Sequence, residues 1–333
     1  MLSLRAMRTC GTDNETNIIM KDHEMGNYIK KDRKLIVFFG ALMCCLLWGS
    51  AFPGIKIGYE FWNIGSGETG RIIMFAGVRF FLAGILVILI GSVIKRQFLL
   101  PCKKDIPKIL ILSFFQTIGQ YVFFYVGLAH TSGVNASVIN SLTSFFAILV
   151  ASSVFRMERM DARKLMGCVL GFTGVIVVNL TGEGFQMSLL GDGLMILTCI
   201  FYGFSSSLIK IYSKDHDTVL LSGYQFMVGG LVLTLIGLPW SLISDIGEIS
   251  VNSGGVGILL YLALVSSVAY TVWGLLLRKN DVSKISIFGF MTPIMGVVLS
   301  ALLLGEADQL GIRHILSLIL VCAGIIIVNV KKE

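Results

Sequence analysis

Apolar runs of about twenty residues, nearly free of charge, recur from residue 35 to the end of the chain, at 35–57, 71–94, 107–130, 133–155, 163–181, 190–212, 218–240, 255–277, 283–305 and 310–330. Each is long enough to cross the ~30 Å hydrocarbon core of a bilayer as a helix. Open strands would leave backbone groups unpaired in hydrocarbon, so the pattern predicts an all-α integral membrane protein with ten transmembrane helices. The first 34 residues are polar and charged and lack the apolar core of a signal peptide. They read as a tail, for which disorder is the default.

The polar connections alternate in charge. Lys30, Lys31, Arg33 and Lys34 precede the first run, Lys95, Arg96, Lys103 and Lys104 follow the second, and Arg156, Arg159, Arg163 and Lys164 follow the fourth. Lys210 and Lys214, then Arg278, Lys279 and Lys284, and finally Lys331 and Lys332 continue the series. The intervening connections carry Glu60, Glu68, Glu183, Asp245 and Glu248, with Lys56, Arg71 and Arg313 near run ends. The positive-inside rule then puts both termini in the cytoplasm and the protein in the cell membrane.

An internal repeat of about 150 residues divides the chain into a tail (1–34), a first five-helix unit (35–181) and a second (190–330). Trp48-Gly49 is echoed by Tyr202-Gly203, and Arg79-Phe80 with Gly84 and Gly91 by Gln225-Phe226 with Gly230 and Gly237. Glu158 corresponds to Glu306, and Gly174 through Asn179 to Gly324 through Asn329. A unit of odd helix number re-enters the membrane from the opposite side. The expected architecture is therefore two inverted repeats, an arrangement that in secondary transporters places the substrate near the midplane between the halves.

Composition narrows the function classes. With 55% hydrophobic and 14% charged residues the chain is far from a soluble domain. Its net charge of +7 lies in the connections and forms no continuous stripe for phosphates, which argues against nucleic acid. Seven cysteines include no CxxC pair or Cys/His cluster, so neither a disulfide framework nor a metal site is expected, and no cofactor is implied. The chain has no HExxH, GxSxG or Walker-type loop, and its four histidines lie outside the middles of the runs, so an enzyme is not expected.

The motifs Trp48-Gly49-Ser50-Ala51-Phe52, Arg79-Phe80-Phe81-Leu82-Ala83, Glu158-Arg159, Tyr202-Gly203, and Pro293 with Leu304-Gly305-Glu306 resemble the drug/metabolite transporter superfamily, in particular transporters with paired EamA domains. The resemblance covers Leu35 to Val330. Met157 stands where that family usually has Gly before the Glu. The resemblance implies a ten-helix carrier that exports amino acids or other small metabolites and says little about which one.

Candidate chemistry gathers on polar helix faces. Gln116, Thr117, Gln120 and Tyr121 share a side of the third run, Ser137, Asn140, Ser141 and Ser144 of the fourth, Thr198, Tyr202 and Ser205 of the sixth, and Ser266, Ser267 and Tyr270 of the eighth. Facing lipid would leave their polar groups unpaired, so they are expected to surround one inward cavity, although helix-to-helix bonding accounts for such faces as well. Trp48, Tyr202, Tyr270 and Trp273 add aromatic surface for an apolar or amine-bearing solute, or simply for packing.

Arg79, eight residues inside the second run, either engages a substrate carboxylate or bonds helix-end carbonyls; its counterpart Gln225 is neutral. Substrate contacts are thus expected from Trp48, Arg79, Gln116, Gln120, Tyr121, Asn140, Ser144, Tyr202, Ser205, Gln225, Tyr270 and Trp273. Glu158 and Glu306 read as interfacial caps, partners of Arg159 or Arg313, or participants in transport. Gly167, Gly171 and Gly174 offer a face for an internal contact or a homodimer, and Pro53 and Pro293 are expected to kink their helices. The leading reading is a secondary carrier for a small organic solute, with the bilayer as its surroundings and a proton or sodium ion open as coupling partner. A non-transporting scaffold or receptor-like protein is the alternative.

Overall fold

The computed structural model describes residues 12–65, 67–131, 139–179, 188–244, 252–303 and 312–330, and among these every regular element is a helix. The chain forms two compact units, Met1–Gly40 and Ala41–Glu333. In the first unit the described residues are helical from Thr12 onward, the start of α1 (Thr12–Phe61). Disorder is the expectation for the tail, of which residues 1–11 lie outside the described residues. The described part of the tail has no proline and a single glycine, Gly26, and a helix already nucleated by an apolar run extends at low cost.

In the second unit α1 ends at Phe61 and α2 spans Thr69–Lys95. A continuous rod follows: α3 (Ile106–Leu112), a π-helical stretch (Ser113–Gly119) and α4 (Gln120–Ala129). Then come α5 (Thr143–Leu149) with a second π-helical stretch (Val150–Val154), α6 (Ala162–Asn179), α7 (Leu189–Tyr212), α8 (Thr218–Ser244) and α9 (Ser253–Lys279). The last elements are α10 (Val282–Ser286), a 3-10 stretch (Ile287–Phe290), α11 (Met291–Leu303) and α12 (Ile312–Asn329). The start of α7 is capped by Ser188 Oγ, which accepts from Gly191 N at 3.1 Å, and that of α9 by Asn252 Oδ1, which accepts from Gly255 N at 2.7 Å.

By length and composition, six described helices can cross a bilayer: Lys34–Phe61, Thr69–Lys95, Ile106–Leu128, Leu189–Tyr212, Thr218–Ile243 and Ser253–Lys279. Ile139–Val154, Val282–Gly296 and Ile315–Asn329 are apolar but shorter. Parts of the expected fourth, fifth, ninth and tenth runs lie outside the described residues, Ser137 among them, and so does Glu306 in the connection between the last two. Pro53 lies within α1, whereas Pro293 falls in the first turn of α11, just after the 3-10 stretch, where a missing N–H costs little.

Glycines set the packing of α2 on α8. They recur every seven residues on each helix, at Gly70, Gly77, Gly84 and Gly91 and at Gly223, Gly230 and Gly237, so they form one stripe. A Cβ on Gly77 would come 2.8 Å from the carbonyl oxygen of Gly230, one on Gly84 2.5 Å from that of Gly223, and one on Gly237 2.8 Å from that of Gly70. The helices therefore run antiparallel with their backbones in contact, which only small residues permit. Exchanging each residue for its counterpart 146 positions away turns the Gly77–Gly230 contact into Gly84–Gly223.

The same exchange operates between α6 and α12. A Cβ on Gly324 would meet the Gly167 carbonyl oxygen at 2.7 Å, and one on Gly174 the Ser317 carbonyl oxygen at 2.9 Å. These two contacts interconvert at a shift of 150. Gly171 packs against the Phe290 ring, so all three glycines of α6 are engaged within the chain.

Candidate functional site

Between the Gly77–Gly230 and Gly84–Gly223 contacts of α2 and α8 lie Phe80 and Phe226, both fully buried, with ring centroids 5.4 Å apart. Around them α1, α4 and α9 bring further rings: Tyr121 at 4.4 Å from Phe80, Tyr270 at 5.1 Å from Phe226, and Trp48 at 5.0 Å from Tyr270 and 4.9 Å from Trp273. Each such pair adds about 0.5–1.5 kcal/mol beyond simple burial. The hydroxyls of Tyr121 and Tyr270 bond each other at 2.6 Å and join α4 to α9 across the centre.

Arg79 projects into this aromatic cluster and is 4% exposed. Its Nε donates to Ser266 Oγ at 3.1 Å, and its guanidinium carbon stands 4.8 Å from the centroid of the Phe80 ring. Tyr59, Tyr121, Tyr125 and Tyr270 all lie within its electrostatic reach. Among the described residues no carboxylate pairs with it. A guanidinium held by neutral groups in an apolar surround keeps its attraction for an anion nearly unscreened.

Gln225, the counterpart of Arg79, is fully buried against the π-helical stretch. Thr117 Oγ1 donates to its Oε1 at 2.8 Å and Ser113 Oγ to its backbone oxygen at 3.0 Å, while its Nε2 has no partner among the described residues. The side-chain oxygen of Gln120 and the indole N–H of Trp48 are likewise buried without a partner among the described residues. Such groups are costly unless something else satisfies them.

The twelve expected contact residues divide. Trp48, Arg79, Tyr121, Tyr270 and Trp273 meet at the aromatic centre, Tyr202 lies beside Trp273, and Gln225 and Gln120 line the α3–α4 rod. Ser205 donates to the Tyr202 carbonyl oxygen of its own helix, and Ser144 sits against Gly289. Gln116 and Asn140 are half-buried, and among the described residues no hydrogen bond joins either to Arg79. Tyr59, Tyr125 and Ser266 surround Arg79 without having been singled out for it. The i, i+4 spacing of Tyr121 and Tyr125 was a readable signal, whereas Tyr59 needed the packing of α1.

Glu158 follows the second π-helical stretch, in the connection to α6. It pairs with Lys164 Nζ at 2.9 Å, accepts from Ser283 N at 3.2 Å, and bonds Ser283 Oγ. Its partner is thus Lys164 rather than Arg159, because α6 turns back and brings Lys164 alongside. Ser283 belongs to the first turn of α10, so the carboxylate links the first half of the chain to a helix N-terminus of the second. Nearby, burial pushes the Asp281 carboxyl up, but Lys284, Lys210 and Lys164 outweigh it and hold it below the ordinary carboxylate range.

The sequence signature of the EamA-like transporter family matches residues 35–180 and again 189–330. The chain belongs to the EamA-like transporter family. It is similar to an uncharacterized transporter of Archaeoglobus fulgidus, 27% identical over 86% of this chain and 95% of that protein. It is also similar to a probable amino-acid metabolite efflux pump of Salmonella typhimurium, 25% identical over 80% of this chain and 87% of the relative. A solved crystal structure shares the fold, with a TM-score of 0.71 at 12% identity over 88% of this chain and 96% of that one. The protein is accordingly a multi-pass membrane transporter, with a small-molecule substrate and membrane lipid as the partners its family implies.

Proposed function

We propose that this EamA-family transporter is a secondary carrier that exports a small carboxylate-bearing metabolite across the cell membrane by alternating access. Ten spans in two inverted five-helix units (35–181 and 190–330) would carry it, with both termini cytoplasmic. The interchangeable glycine contacts and the doubled family match support the inverted units, and the alternation of basic connections supports the orientation.

The observation that carries the substrate class is Arg79, buried at the exchange axis among tyrosines with no carboxylate paired to it among the described residues. A substrate carboxylate suits its planar donors, and the unpartnered amide of Gln225 offers a second, uncharged contact. The aromatic walls take an apolar body. The name of the Salmonella relative agrees with an amino-acid metabolite. With Arg79 4%, Tyr270 7% and Trp273 3% exposed, the centre is shut, so loading requires the halves to move apart on one side.

The test is a metabolite comparison of medium and cytosol in cells with and without the protein, followed by flux of the enriched solutes in reconstituted vesicles. An anionic or zwitterionic metabolite should accumulate outside only when the protein is present. If no solute moved in vesicles, the scaffold reading would replace the carrier.

A further inference from the structure

The connection between α2 and α3 is built differently from an ordinary exposed loop. Leu99 at its middle is 4% exposed and plugged against Gly91, on which a Cβ would come 2.9 Å from Leu99 Cδ1. Its N–H donates to Ser92 Oγ at 3.0 Å, and its carbonyl accepts from the Tyr224 hydroxyl of α8 at 3.0 Å. Further along, Asp105 accepts from Cys102 N at 2.8 Å and pairs with His216 at 2.5 Å. The connection is therefore clamped to the second half of the chain at its middle and at its far end.

What this clamped segment turns outward is apolar and basic together. Phe98 is 63% and Leu100 66% exposed, beside Val93 and Ile94 on the last turn of α2, and Arg96, Lys103 and Lys104 are exposed as well. Among the described residues none of these three cations has a carboxylate partner, whereas the neighbouring Lys95 is paired with Asp217. Arg96 also ends α2 at φ 52°, its N–H bonded to the Val93 oxygen and that of Gln97 to the Ser92 oxygen. That left-handed position favours glycine, so a long cation is held there against backbone preference.

We propose that residues 96–104 form a docking surface for anionic phospholipid headgroups. A ring and a leucine beside cations at the end of a membrane-crossing helix match the depth at which acyl chains give way to phosphates, so one lipid satisfies both kinds of side chain. A soluble phosphate would leave Phe98 and Leu100 unexplained. The clamps to Tyr224 and His216 mean that headgroups bound here hold an element shared by both halves.

The test uses the full chain in nanodiscs of phosphatidylcholine alone or containing phosphatidylglycerol, with retained lipid counted by native mass spectrometry and unfolding followed by heating. Phosphatidylglycerol should raise the unfolding temperature of the wild type and be retained by it. A variant carrying Arg96→Gln, Lys103→Gln and Lys104→Gln should unfold as the wild type does in phosphatidylcholine yet lose that increment. Its apparent affinity for the anionic lipid should fall on the order of 100-fold at low salt, from about 1 kcal/mol for each basic residue. Phe98→Ser with Leu100→Ser should lose part of it, and Arg156→Gln with Arg159→Gln, at another exposed connection, should keep it. An equal increment in the triple variant, an equal loss in the Arg156/Arg159 variant, or the same stabilisation from soluble glycerol phosphate would each overturn the proposal.

Discussion

Phe80 and Phe226 stack with their planes 20° apart, and they are counterparts, 146 positions apart, in the two halves of the chain. A residue that packs on its own counterpart marks the axis that exchanges the halves. The residue just before each is polar, charged in the first half (Arg79) and neutral in the second (Gln225). The scaffold is thus symmetric at the axis while the chemistry offered there is not.

The glycine stripe should tolerate no side chain. Gly230→Ala places a Cβ 2.3 Å from Phe81 N and 2.6 Å from the Gly77 oxygen, both backbone atoms that cannot swing aside. Overpacking of this kind costs about 1–3 kcal/mol. Gly257→Ala in α9 meets nothing within 4 Å and, at a helical position, should gain about 0.5–1 kcal/mol. Thermal unfolding of the two purified variants in one detergent checks the difference in sign.

The repeat and the helical class were legible in the sequence because hydropathy and small-residue spacing are local signals. The glycines at 77, 84 and 91 and at 223, 230 and 237 even hold the register of α2 on α8. Other features depend on which helices meet. Ser266 and Tyr59 reach Arg79 only through the packing of α9 and α1, and Lys164 reaches Glu158 only because α6 folds back. The π-helical stretches at Ser113–Gly119 and Val150–Val154 have no local signature in composition. Polar periodicity alone does not distinguish a cavity face from local bonding, since Ser205 donates to a carbonyl oxygen of its own helix.

Cys102 offers a natural reporter of orientation. It is exposed in the connection after α2, whereas Cys44, Cys45, Cys168 and Cys199 are buried. With that connection cytoplasmic, an impermeant maleimide should leave the protein unlabelled in intact cells and label Cys102 once the membrane is opened. Gly67→Cys, at an exposed position with no atom within 4 Å of a Cβ, should react in intact cells. Labelling in the reverse order would refute the cytoplasmic placement of this connection and of the N-terminus.

Glu158→Gln removes the ion pair with Lys164 and weakens the bond to the first turn of α10. Both partners are mostly buried, with side-chain exposures of 5% for Glu158 and 15% for Lys164, so the loss should be about 1–3 kcal/mol in unfolding free energy. Glu158→Asp, too short to span both partners, should restore only part of it. An unfolding temperature equal to the wild type would show that the carboxylate holds nothing.

The lowered Asp281 carboxyl gives a pH dependence of defined sign. A depressed folded value contributes stability that is complete above the ordinary value near 3.9 and disappears as pH falls through the folded value. Asp281→Asn should therefore lower the unfolding temperature at neutral pH, and the gap from the wild type should close progressively below about pH 4. A gap independent of pH would place the effect of the substitution outside this charge.

Recognition of a substrate anion by Arg79 is tested most directly by the concentration dependence of solute flux in reconstituted vesicles, using the metabolite found by the export comparison. Arg79→Gln should weaken apparent affinity by about 10-fold to 100-fold, the loss of a charge-assisted hydrogen bond worth about 1.5–3 kcal/mol, with the variant folded as the wild type. Arg79→Lys should recover only part, because it keeps the charge without the planar fork. Unchanged affinity and rate in a folded Arg79→Gln protein would contradict it and leave Arg79 a packing residue among its tyrosines.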